Sequence, residues 1–167
     1  MELHRLRTEA LTKEAFAPFG DVIQVAEAKS HFTINQGWAE RYHDLATIDV
    51  LDDGGRPILG IVRAEPRPLP LRLRIMERHP RGSQAFVPLQ PCSFLVVVAL
   101  PGEAPAREDF RCFRTVPGQG VNYARGVWHH PLIALERSTD FLVMDRGGAG
   151  ANCDEAFYDN QQIWLEN

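Results

Sequence analysis

The stretch "LRIMERHPRGSQAF", residues 73–86, decides how the chain is read. It alternates before a Pro80-Arg81-Gly82 turn and again after it, which predicts a strand, a tight reversal and a returning strand. Side chains alternate across a strand. Leu73, Ile75, Glu77 and His79 are therefore expected on one face, and Arg72, Arg74, Met76 and Arg78 on the other. The first face starts apolar and ends in an acid and a histidine. That puts Glu77 and His79 at the mouth of whatever the sheet encloses. The second face is mostly arginine and is expected to meet water. Past the turn, Gln84 and Phe86 share a face, with Gln84 within reach of His79. A glutamate and a histidine on an otherwise apolar face are costly to desolvate without a purpose. A plain hydrogen-bonded pair at the rim is the structural alternative.

The same grammar runs outward in both directions. Short strands are expected at 21–25, 57–64, 71–79, 83–89, 93–100, 110–116, 120–124, 130–136 and 140–146, punctuated by Pro, Gly, Asp or Ser. Spacing near ten residues favours a sandwich or barrel over βαβ units. Thr12 is placed to cap a short N-terminal helix that Pro18 and Gly20 end. A second short helix is expected after Asn152 or Cys153, where "CDEAFYD" (153–159) carries acids in its first turn. "AEPRPLP" (64–70) reads as a stiff connector. With no repeat and no long linker, residues 1–167 are read as one domain.

Bulk composition removes several function classes. The 167 residues are 44% hydrophobic and 24% charged, with a formal net charge of −4. No basic run or basic-aromatic stripe marks a nucleic-acid surface. Three scattered cysteines with no CxxC argue against a disulfide framework or a cysteine zinc site. The N-terminus lacks the apolar core of a signal peptide. The longest apolar run, "FLVVVAL" (94–100), is too short to span a membrane. A reducing cytoplasm is the expected compartment.

"GVWHHPLIAL" (126–135) carries two adjacent histidines. Neighbours on a strand face opposite ways, so only one can point inward. Spacing chooses between them. The chain resembles cupins, small β-barrels whose first motif is roughly HxH, three or four residues, then Glu, and whose second is roughly G(x)5PxGxxH(x)3N. Glu77-x-His79-x4-Gln84 overlays the first, with Glu77 and Gln84 substituted. Gly118, Ala124, Gly126 and His129 overlay the second, with Ala124 for the proline and Ile133 for the asparagine. This register makes His129 the inward histidine and leaves His130 with Trp128. The expected architecture is mainly β: a cupin-like antiparallel β-barrel or jelly roll with short N- and C-terminal helices. Glu77, His79, His129 and Gln84 form a set able to hold a divalent metal. Elsewhere, residues 35–46, with Arg41, His43 and Asp44, read from composition as a turn and a solvated helix start. Asp145-Arg146-Gly147-Gly148 is either a substrate contact or an ordinary turn. Cys153, with no neighbouring base, reads as packing. "GGAGAN" (147–152) lacks the lysine of a phosphate loop.

A closer resemblance rests on "AFAPFGDVI", "INQGWAERYHDLA", "ERHPRGSQAFVPL", "FLVVVAL", "GQGVNYARGVWHHPL", "TDFLVMDRGG" and "NCDE", spread over residues 15–155. Together these resemble the ureidoglycolate lyase family of allantoin and purine breakdown. The resemblance implies release of urea from (S)-ureidoglycolate to give glyoxylate. It also implies a cytoplasmic homodimer, with nickel as a cofactor in some members and a metal-independent route open. On it, His79 and His129 are metal ligands or, without metal, the proton-transfer pair, and Glu77 is a further ligand or the base. Gln84 is expected to bond the ureido group. Arg41, with Arg125 behind it, is expected to clamp the carboxylate, and Asn122, Tyr123 and Asp145 to line the site. Two other readings compete: another metal-dependent cupin enzyme acting on a small hydroxy acid, and a non-catalytic small-ligand sensor.

Overall fold

The strand Phe94–Ala99 is buried at every residue, and the architecture follows from it. In the computed structural model, which describes residues 3–26 and 28–166, alternation along this strand feeds two cores. Phe94, Val96 and Val98 join Phe16, Phe86, Phe113, Val121, Phe141 and Val143 in the first. Leu95, Val97 and Ala99 join Leu73, Met76, Trp128, Ile133, Ile163 and Leu165 in the second. A strand covered on both faces is spelled as an unbroken apolar run rather than an alternating one.

Three layers result. The central sheet orders Asp154–Phe157, Ile75–Arg78, Trp128–His129, Phe94–Ala99, Arg111–Arg114 and Thr8–Ala10, with Ile133–Ala134 also pairing Phe94–Ala99. Across the first core lies a five-stranded sheet of Gly20–Ile23, Gly120–Tyr123, Gln84–Pro88, Thr139–Gly147 and Arg56–Ala64. Across the second lies a small sheet of Leu3–Leu6, Gln162–Leu165 and Leu71–Arg72. The molecule is therefore mainly β and cupin-like, as expected. Phe94 meets Phe141 edge-on across the first core at 5.1 Å. Such a pair adds ~0.5–1.5 kcal/mol beyond its buried area.

The N-terminal helix is the single turn Lys13–Phe16, capped as expected: Thr12 Oγ1 accepts the Ala15 N–H at 3.1 Å. It drops Phe16 into the first core with no exposed surface. Gly20 follows at φ +139°, where a Cβ would sit 1.9 Å from the Asn122 carbonyl oxygen, so no other residue fits.

Three expectations are corrected. The C-terminal helix does not form: Asp154–Phe157 is a strand, antiparallel to Ile75–Arg78. An acid-rich first turn is a weak local preference, and a free strand edge outcompetes it. Residues 35–46 do not start a helix either. His31–Ile34 and Ala39–Tyr42 form a separate hairpin, turned at Asn35, Gln36 and Gly37, all with positive φ. Finally, 71–79 is not one strand. Leu71–Arg72 and Ile75–Arg78 belong to different sheets, so alternation breaks between them, and both Leu73 and Met76 enter the second core. On the arginine face Arg74 meets water as expected, but Arg72 and Arg78 are partly covered. Arg78 lies 4.8 Å over the Trp128 ring and pairs with Asp154 at 2.8 Å.

Candidate active site

Two rows of side chains meet at one end of the first core. On the central sheet Val98, His129, Glu77 and Glu155 stand abreast, because His129 pairs with Val98 and Glu77, and Glu77 with Glu155. On the opposing sheet Tyr123 stands beside Gln84, and Asp145 comes one step beyond the Met144–Ala85 pair. The Tyr123 ring stacks flat on His129, centroids 4.2 Å apart and planes 9° apart. Burial pushes the Tyr123 phenol up, so it stays protonated.

His129 is 2% exposed. Its Nδ1 lies 3.1 Å from the Val127 carbonyl oxygen, which leaves Nε2 to the site. Nε2 approaches Glu77 Oε1 at 3.4 Å without a hydrogen bond's alignment, and is buried with no partner. The adjacent His129 imidazole holds the Glu77 carboxyl below the usual carboxylate range, against the opposing effect of burial. A carboxylate facing an imidazole nitrogen across this gap calls for positive charge between them, from a proton or a metal ion.

His79 is clamped from three sides. Its carbonyl accepts the Gly126 N–H at 3.0 Å. Its Nδ1 lies 2.7 Å from the Asn152 carbonyl oxygen, and its Nε2 lies 3.1 Å from Gln84 Oε1. Asn152 also accepts the Arg81 N–H on its side-chain oxygen at 2.8 Å, so one residue fixes both ends of the turn. Ligand atoms of Glu77, His79 and His129 all lie within 4.8 Å of one another. The 3.1 and 3.4 Å separations suit neighbouring ligands that each sit ~2.1 Å from a shared ion. Nδ1 of each histidine facing a carbonyl is the outer support that metal-binding imidazoles use. The donor set fits a divalent cation.

Gln84 has both ends of its amide engaged, since Nε2 donates to Asp145 Oδ1 at 2.7 Å. Neither end is spare for a ureido group in this arrangement. Asn122 is turned to the other side of its strand, donating to Asp21 Oδ2 at 3.0 Å and to the Thr47 carbonyl at 2.9 Å. Arg125 is bound by Asp49 and Asp52, each at 2.7 Å. Arg41 stands on the exposed hairpin, opposite Phe32. Glu77, His79, Gln84, Tyr123, His129 and Asp145 are thus brought together, and Arg41, Asn122 and Arg125 are not. His130 is buried against its own neighbour, Nδ1 2.7 Å from the Pro131 carbonyl oxygen, and burial pushes its imidazole down to about 4. Cys153 lies beside Glu77 and Glu155. Burial, then those carboxylates, pushes its thiol up, the reverse of an activated nucleophile.

Sequence reasoning missed the residues that hold this arrangement. Asp49 and Ser83 exchange two bonds, Ser83 N–H to the Asp49 carbonyl at 2.8 Å and Asp49 N–H to Ser83 Oγ at 2.9 Å. They tie the 49–53 loop to the turn that follows His79. Arg146, 6% exposed, grips the same loop through the carbonyls of Asp52 and Asp53 at 3.1 and 3.0 Å, and Arg81 pairs with Asp53. Gly55 and Gly82 were the available signal. A Cβ at Gly55 would meet Arg146 Nε at 2.5 Å, and one at Gly82 would meet Arg146 Cβ at 2.8 Å.

Comparison with known proteins shows the family. A family model described as ureidoglycolate lyase matches residues 3–166. The chain is 55% identical over 150 residues to a ureidoglycolate lyase of Burkholderia cepacia, covering 90% of this chain and 84% of that protein. It is 49% identical over 165 residues to that of Pseudomonas putida (strain W619), covering 99% and 98%. Against that of Pseudomonas paraeruginosa (strain DSM 24068 / PA7) it is 51% identical over 165 residues, covering 98% and 97%. On a match that runs almost from end to end, the chain belongs to the ureidoglycolate lyase family.

Proposed function

We propose that this lyase releases urea from ureidoglycolate, leaving glyoxylate, at the Glu77–His79–His129 cluster. The observation that carries the assignment is the buried, unpartnered Nε2 of His129 facing the Glu77 carboxylate. A buried polar atom without a partner costs stability, ~1–3 kcal/mol, and a bound substrate or ion is what would satisfy it.

In the substrate, hydroxyl, carboxylate and ureido nitrogen share one carbon. Cleavage takes the proton from the hydroxyl, forms the aldehyde C=O and breaks the C–N bond, while the departing nitrogen gains a proton. Glu77, held ionised by its neighbour, is suited to accept the hydroxyl proton. His129, walled by Tyr123, is suited to hold and deliver the proton for the leaving nitrogen. His79 is held fixed by Asn152 and Gln84. Those proton-transfer roles belong to the route without metal; in the other route Glu77, His79, His129 and Gln84 would instead hold a divalent cation, nickel by family resemblance. Such an ion supplies positive charge against the substrate's hydroxyl and carboxylate oxygens. Steady-state urea release tests the assignment. Glu77→Gln should lose ~10²–10⁴-fold in kcat/KM, and near-wild-type activity would remove Glu77 from the reaction. Chelation followed by elemental analysis separates the two routes, since full activity in metal-free protein would eliminate the metal.

We place the enzyme in the cytoplasm as a homodimer. Cys92, Cys112 and Cys153 are all unpaired thiols, which suits a reducing compartment. Among the described residues no helix is long and apolar enough to cross a membrane. The Arg56–Ala64 strand is a nine-residue sheet edge that exposes Ile58, Leu59, Ile61 and Val62. Such an edge invites pairing. Antiparallel pairing of two copies about Gly60 would set Ile58 against Val62 and Leu59 against Ile61. Light scattering behind a sizing column should give twice the chain mass, and Ile61→Lys should shift it towards the monomer. A monomeric wild type would overturn this.

A further inference from the structure

The two ends of the Gln84 amide are unlike, and the residue that decides which end faces the cluster is Asp145. An ionised carboxylate only accepts hydrogen bonds. Asp145 Oδ1 at 2.7 Å therefore claims the Gln84 NH₂. The carbonyl oxygen is left facing His79 Nε2 at 3.1 Å. The backbone enforces this, because Tyr123, Gln84 and Asp145 lie abreast on three adjacent strands. We propose that Asp145 is a positioning residue that turns Gln84 into an oxygen donor for a cation held by Glu77, His79 and His129. It touches neither the ion nor the substrate, and acts by fixing the amide. The inference rests on reading the cluster as a divalent-metal site.

An amide NH₂ has no lone pair to offer a metal, so the orientation matters. Asp145→Asn removes the constraint, since an amide at 145 accepts from one end of Gln84 as readily as it donates to the other. Moving the carboxylate one step, in Gln84→Glu/Asp145→Asn, presents oxygen to the cluster whichever way the side chain turns and keeps the net charge.

Isothermal titration of metal-stripped protein with nickel chloride, without substrate, reads this directly, with thermal unfolding of each variant in parallel. Asp145→Asn should bind the ion ~10–100-fold more weakly, the usual cost of losing a residue that orients a ligand. The double variant should regain most of that loss. Wild-type affinity in Asp145→Asn would overturn the positioning role while leaving the metal site standing. A double variant as weak as Asp145→Asn would overturn it too, because the loss would then be structural. A wild type that binds no nickel would instead overturn the metal-site reading, and the positioning role with it.

Discussion

Among the described residues, two buried side-chain nitrogens lack hydrogen-bond partners, and they differ in what surrounds them. Arg146 Nε lies beneath the 49–55 loop, closed in by Gly55, with the rest of its guanidinium on backbone carbonyls. No space is left beside it. His129 Nε2 opens onto Glu77 and His79 at the mouth of the first core. The first orphan is a cost of folding the loop; the second faces groups that chemistry can use. The contrast teaches that an unpaired buried atom points to function only when reactive groups converge on it.

The contrast yields predictions of decreasing size. Largest is Glu77→Gln, which should cut kcat/KM for urea release ~10²–10⁴-fold with the fold kept. Next comes His130, the buried histidine that lies outside the cluster. Its folded value of about 4 lies below the ordinary 6.5. The unfolded chain therefore takes up a proton first as pH falls. Stability should drop between pH 6.5 and 4 by roughly 3 kcal/mol and level off below. Denaturant unfolding of His130→Gln should show that slope reduced, whereas an unchanged slope would remove His130 as its source. Gly55→Ala should push on Arg146 and the Val50 carbonyl, costing ~1–3 kcal/mol, or a few degrees in Tm. Urea release per folded molecule should persist, and its loss would tie the loop to catalysis. Smallest is Arg125→Gln. With its guanidinium held by Asp49 and Asp52, KM should hardly move, and a large rise would return Arg125 to the substrate's carboxylate.

The inner layers were legible because their signals are local. The strands near 57–64, 83–89, 93–100 and 140–146 announce themselves by apolar runs and turn residues. Alternation said that only one of His129 and His130 points inward, and the spacing from Gly118 to His129 chose between them. The outer layer was not legible. It is built by pairing Leu3–Leu6 in parallel with Gln162–Leu165, from opposite ends of the chain, and neither segment names its partner. Arg78 was expected in water because neither the Trp128 ring it lies over nor Asp154, its ion-pair partner, is near it in sequence. Asn152 was missed because it holds His79 through a backbone carbonyl, which every residue has. Arg125 looked free only because Asp49 and Asp52 lie more than seventy residues away in sequence.

The central claim is that the unpartnered imidazole nitrogen is there for the reaction. Urea release by His129→Gln, measured on protein whose cooperative unfolding has been checked, tests it most directly. The account predicts a folded protein with kcat/KM lowered ~10²–10⁴-fold. A folded variant that releases urea at the wild-type rate would contradict it.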